Sequence, residues 1–128
     1  MNIIQAFPPN YAEIEKVFDI RGKNIVFAYG DVLYNPRGAD ITNDLMVHEE
    51  THKRQQGNDP ASWWSKYLKD VNFRLNQEVE AYRNQFQFYK QKHKHWMPFL
   101  QFISKDLSGK MYGNIISFVD AMSAISAE

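Results

Sequence analysis

Residues 48 to 52 read HEETH, two histidines four apart with a glutamate directly after the first. Residues four apart on an α-helix are neighbours on one face, so His48 and His52 can aim their imidazole nitrogens at one ion. Glu49 is rotated about 100° from His48 and stays beside the ion's open side. There it is suited to take a proton from a water bound to the ion and later hand it to a leaving amine. Zinc in such a site needs three protein ligands, with the fourth place left for water, so the pentapeptide alone is incomplete. The chain has no cysteine, and any metal must therefore be held by histidine and carboxylate.

The search for a third ligand leads to FRLNQEVEAYRNQFQFY, residues 73 to 89. Counting 100° per residue from Val71, the side chains of Leu75, Val79, Tyr82, Phe86 and Tyr89 fall within about 80° of one another and predict the buried stripe. Glu78 falls at the edge of that stripe, whereas Glu80 faces away. A carboxylate directed at a core is costly unless it is paired or coordinates a metal. Glu78 is thus the expected third ligand, and an ion pair with Arg74 or Arg83 is the plainer alternative.

The elements that must position these residues follow from turn and cap signals. Asn10 with Glu13 reads as a capping box opening a short helix that carries Ile14, Val17 and Phe18 and stops near Gly22. NIVFAYGDVLYNP is rich in β-branched and aromatic residues. Gly30-Asp31 within it predicts either a tight hairpin or one long strand kinked at the glycine. Thr42 or Asn43 caps the motif helix, which runs to about Gln56 and closes at Gly57. Asp59-Pro60 restarts a helix, and helical pattern continues to about Trp96 with a break near Asp70. A shorter helix follows to about Leu107, then Ser108-Gly109 and Gly113-Asn114 as loops, then a last helix capped by Ser117 with Asp120. The pattern predicts one α+β domain over residues 1 to 128, mostly helical with a small β hairpin or sheet.

Composition limits the function. There are 15 basic and 15 acidic residues with zero net charge, which argues against a nucleic-acid partner recruited by bulk charge. KQKHKH, residues 90 to 95, is the single basic cluster and reads as the solvated end of a helix. No apolar run approaches the roughly 18 residues of a membrane span, and the N-terminus lacks the basic start of a signal peptide. The expectation is a soluble protein of the cytoplasm. Trp63 and Trp64 read as core residues, and Glu50 with Lys53-Arg54-Gln55-Gln56 as the exposed face of the motif helix.

HEETH followed by Glu78-Val79-Glu80-Ala81 resembles the gluzincin arrangement of zinc metallopeptidases, in which a second helix supplies a glutamate ligand. More narrowly, YGDVLYNP, LMVHEETHKRQQG and FRLNQEVEAYRNQ resemble segments of small peptidase-like proteins encoded by phages and bacterial genomes. The resemblance spans roughly residues 25 to 92, and more loosely YGNIISFVDA near the end. It implies His48, His52 and Glu78 as zinc ligands, Glu49 as general base and a peptide or protein as substrate. If the chain is phage-encoded, its compartment is the infected host's cytoplasm. It also implies that the strand before the motif helix, within residues 25 to 34, binds extended peptide at a sheet edge.

One position departs from the family pattern. Many gluzincins carry an aspartate four residues after the ligand glutamate, where it orients a ligand histidine. Tyr82 stands there instead. Asp44 and backbone carbonyls are then the candidate partners for the histidines. Tyr82 itself is either an ordinary core tyrosine or a hydroxyl that donates to a developing oxyanion. The sequence therefore supports a zinc-dependent peptidase. Its alternative is an interaction module that keeps the fold and the metal without turnover, and a purely structural helical module would make the motif a coincidence.

Overall fold

A computed structural model describes residues 1–127. Among these, the chain order is β1 (Asn2–Ile4), α1 (Tyr11–Val17), β2 (Phe27–Tyr29), β3 (Val32–Tyr34), α2 (Asn43–Gln56), α3 (Pro60–Lys69), α4 (Val71–Lys92), α5 (Met97–Leu107), a 3-10 turn (Lys110–Tyr112) and α6 (Phe118–Ser126). The expected mostly helical α+β architecture is present.

The hairpin alternative is the one adopted. Strands β2 and β3 pair antiparallel with Tyr29 opposite Val32 across Gly30-Asp31, and Gly30 takes the left-handed φ of +61° that favours glycine. Strand β1 then adds to the other side of β3 in parallel, giving the order β1-β3-β2. Sequence reading missed β1. It is three residues long with every side chain exposed, so neither alternation nor a buried face marks it.

Helix boundaries follow their caps. Thr42, Asp59, Asp70 and Ser117 each accept a hydrogen bond from a backbone N–H in the first turn of the following helix. Asp70 both ends α3 and opens α4, which accounts for the predicted break. The capping box at α1 does not form: the helix begins where expected, but the Asn10 side chain makes no cap bond and its amide is buried without a partner.

Two apolar clusters build the core. One joins Tyr82 and Phe86 of α4 to Leu100, Ile103 and Leu107 of α5, Tyr112 and Ile125 of α6. The other joins Ile14 and Phe18 to Phe27 of β2 and Trp63, Trp64 and Tyr67 of α3, so both tryptophans are core residues as expected. Between them α2 lies against α4 with an unusual interface. The buried residues of α2 are His48, Glu49, Thr51, His52 and Gln56, none of them apolar. Burying polar groups is unfavourable unless each is matched, so this seam has to be held by specific partners.

The buried stripe of α4 is also rotated from the predicted one. Its buried residues are Arg74, Glu78, Ala81, Tyr82, Gln85 and Phe86, while Leu75, Val79 and Tyr89 are only partly covered. Hydrophobic periodicity finds the apolar side of a helix, but α4 turns a polar side to α2, and Glu78 sits at the middle of the buried face rather than its edge.

Candidate metal centre

The polar seam converges on three side chains. His48 Nε2 lies 3.2 Å from Glu78 Oε1, and His52 Nε2 lies 3.2 Å from Glu78 Oε2. The two Nε2 atoms are 3.2 Å apart. All three residues are buried, with 3–5% of their surface exposed. Four places tetrahedrally about an ion, each about 2.05 Å from it, stand about 3.3 Å from one another. One ligand atom from each of the three residues lies within 4.8 Å of the others, so the group could hold a metal ion.

Hydrogen bonding fixes which atoms face inward. Gln55 Nε2 donates to the Gln77 carbonyl at 3.0 Å and to Glu80 Oε1 at 2.8 Å, and neither of these can donate back. The amide is thereby oriented, and its Oε1, 2.8 Å from His52 Nδ1, must accept. Gln85 repeats the device: its Nε2 donates to Asp44 Oδ2 at 2.8 Å, which leaves Oε1 to accept from His48 Nδ1 at 2.9 Å. Both imidazoles therefore carry a proton on Nδ1 and turn Nε2 towards the cluster. With both imidazoles neutral, two nitrogen lone pairs and a carboxylate point at one another with no donor among the three side chains. Glu78 Oε1 is accordingly a buried oxygen without a hydrogen-bond partner, although His48 Nε2 is beside it. Such a ligand set is favourable only around a positive charge, either a bound cation or a proton shared between histidine and Glu78.

The charge states agree with this geometry. Burial works against ionising Glu78, but His52 and His48 outweigh it and hold the carboxyl far below its usual range. Burial likewise opposes charging His52, yet Glu78 lifts it to about 9. Without a metal, the cluster thus holds a proton in its place. Glu49 is pushed up, chiefly by burial, with His48 and His52 pulling the other way.

The plain alternative for Glu78 is not realised. Arg74 gives its guanidinium to the carbonyls of Tyr67, Leu68 and Tyr112, and Arg83 bonds the Ala124 carbonyl. Glu80 is not in the cluster; it secures Gln55. Asp44 does back a histidine as anticipated, though through Gln85, and the carbonyl of Gln77 serves His52 through Gln55. Tyr82 packs its ring on His48 at 4.4 Å between centroids. Its hydroxyl bonds Tyr112 at 2.9 Å, so in this conformation Tyr82 is not aimed at the cluster.

Two further positions were misjudged or missed in the sequence. Gln55 and Gln56 read as exposed, but Gln56 is buried, accepting from Gly30 N at 2.7 Å and donating to the Ala28 carbonyl at 2.8 Å. Trp64 Nε1 donates to the same carbonyl at 3.0 Å. The expected peptide-binding edge is thereby occupied at its centre, because the outward carbonyl of β2 already has two donors. Tyr67 was not singled out at all, and its hydroxyl donates to Glu78 Oε2 at 2.6 Å. Neutral amides and a phenol leave no trace in charge or hydropathy.

A cavity of about 70 Å³ opens beside the cluster. His48, Glu49, His52, Glu78 and Tyr112 line its polar side, and Phe18, Ile20, Ile25 and Phe27 are among the residues of its apolar side. It has space for several waters. Among the described residues no helix is long and apolar enough to cross a membrane. Comparison with protein families, curated proteins and solved structures finds no match to this chain.

Proposed function

We propose that the chain is a zinc-dependent peptidase of gluzincin type, with His48, His52 and Glu78 as ligands and Glu49 as general base. The observation that carries the reading is the convergence of two Nε2 atoms and one carboxylate in a buried cluster, held by a hydrogen-bonded amide behind each histidine. Zinc at this place would polarise a scissile carbonyl and acidify a water. Glu49 shares the cavity with the ligands and forms no hydrogen bond to a protein group among the described residues, so its carboxylate is free for a water. Its upward shift brings it closer to the pH at which a carboxylate exchanges protons readily. It takes a proton from the attacking water and returns it to the departing amine.

Phe18, Ile20, Ile25 and Val26 line the apolar side of the cavity, so movement of the segment from Phe18 to Val26 would widen it for a peptide. That segment is suited to move: its backbone bonds are local, from Ile20 N to Phe18 O, Lys23 N to Ile20 O and Ile25 N to Lys23 O. It is otherwise fixed by apolar contacts of Phe18 and Ile20 and by the Arg74 guanidinium 4.7 Å from the Phe18 ring.

A second reading is a metal-holding interaction module without turnover. It is favoured by the near-complete burial of the ligands and by the Tyr82 hydroxyl turned to Tyr112. The test is digestion of a diverse peptide library by zinc-loaded wild type and Glu49→Gln, read by mass spectrometry. Cleavage by wild type alone supports the peptidase, and equal absence of cleavage leaves the interaction module.

A further inference from the structure

Each oxygen of the Glu78 carboxylate has one histidine Nε2 at 3.2 Å, but only one of the two also receives a hydroxyl. Oε2 accepts the Tyr67 hydroxyl at 2.6 Å, the short distance of a charge-assisted O–H···O⁻ bond, while Oε1 has no hydrogen-bond partner. Tyr67 is itself held rigidly. Its ring stacks on Trp63 at 4.9 Å and 25° and meets Trp64 and Phe18 edge-on. Its carbonyl accepts Arg74 Nε at 2.9 Å, and Arg74 lies one turn before Glu78 on α4. The donor and the carboxylate are therefore fixed in one unit, α3 clamped to α4. Only 5% of Tyr67 is exposed, so water does not compete for the bond.

From this geometry we infer that Tyr67 is a positioning residue that makes Glu78 a one-oxygen ligand, through Oε1, and so keeps the fourth coordination place open. The inference rests on the metal reading above and adds to it what decides between a closed and an open centre. With one lone pair and part of the charge of Oε2 engaged by the phenol, Oε1 is the stronger donor. Three protein atoms would then hold the ion, and the cavity that these residues share with Glu49 would leave room for a water as the fourth ligand. Without the hydroxyl the carboxylate is free to swing and offer both oxygens, which fills that place.

The experiment uses the full chain, wild type and Tyr67→Phe, with Tyr89→Phe as a control that removes a phenol hydroxyl away from the cluster, where Tyr89 stacks on Phe99. Zinc affinity is read by competition with a chromophoric chelator, and coordination by the visible bands of the cobalt-loaded proteins. Tyr67→Phe is expected to lose about 10-fold or more in zinc affinity and to show weaker cobalt bands, as coordination number rises. Tyr89→Phe is expected to keep the wild-type cobalt spectrum. Unchanged affinity and spectrum in Tyr67→Phe would overturn the inference and leave the metal site intact, whereas wild type that takes up neither ion would overturn both. A second reading needs no Tyr67 variant: infrared difference spectra of zinc-loaded wild type against Glu78→Gln. A wide separation of the carboxylate stretches is expected for one-oxygen ligation, and a narrow, two-oxygen separation would refute it.

Discussion

Replacing Gln85 by methionine removes the group that sets the His48 tautomer while keeping the volume and unbranched shape of the side chain. In wild type the Asp44 carboxylate orients the Gln85 amide, and the amide oxygen holds the Nδ1 proton of His48. Without it, Nδ1–H is left in a buried site with no acceptor, and the imidazole loses both its preferred tautomer and its fixed plane. Losing such a partner typically costs 10- to 100-fold in metal affinity, or about 1.4–2.7 kcal/mol. The metal-free protein should also lose about 1–3 kcal/mol of stability from the stranded donor. Chelator competition measures the first and urea unfolding with excess chelator the second. Gln85→Glu supplies a sharper check. Its carboxylate can still accept from His48, but it faces Asp44 where the amide nitrogen had been 2.8 Å away. The single variant should therefore bind zinc weakly, and adding Asp44→Asn, which restores a donor, should recover affinity to within a few-fold of wild type. Wild-type zinc affinity in Gln85→Met, or no recovery in the double variant, would refute the tautomer argument.

Gln55→Leu should weaken zinc similarly through His52, and Glu80→Ala should do so much less, because the Gln77 carbonyl still orients the amide; the same competition assay ranks the three. Gln56→Leu should lower stability by about 2–4 kcal/mol in urea unfolding, since the Gly30 N–H loses its acceptor and the Ala28 carbonyl keeps only Trp64. In metal-free protein His52 is raised from 6.5 to about 9, so its contribution is complete below about pH 6.5 and is lost as pH rises through about 9. Stability in chelator should fall by no more than about 3 kcal/mol over that interval. His52→Gln should flatten this fall, and an equally steep fall in the variant would assign it to other groups.

The sequence made some features legible because local chemistry dictates them. HEETH is a spacing argument that any helix satisfies, and Thr42, Asp59, Asp70 and Ser117 mark helix starts by their own side chains. Glu78 was found because a carboxylate near an apolar stripe demands a partner. What stayed hidden depends on packing between distant segments. Strand β1 exists because β3 offers it an edge, and the orientations of Gln55, Gln56 and Gln85 exist because α2 meets α4 and the hairpin. Tyr67 reaches Glu78 only because Arg74 ties the end of α3 to α4. The closure of the cavity by Phe18 and Ile20 likewise follows from α1 folding over β2, which no local pattern announces.

The central claim is that three side chains on α2 and α4 hold a metal, and metal content tests it most directly. Wild type, Glu78→Ala and Glu80→Ala, purified identically and offered zinc, would be analysed by elemental mass spectrometry. Close to one zinc per chain is expected in wild type and Glu80→Ala, and its loss in Glu78→Ala. Wild type that takes up no zinc, or Glu78→Ala that keeps it, would rule out His48, His52 and Glu78 as the metal site.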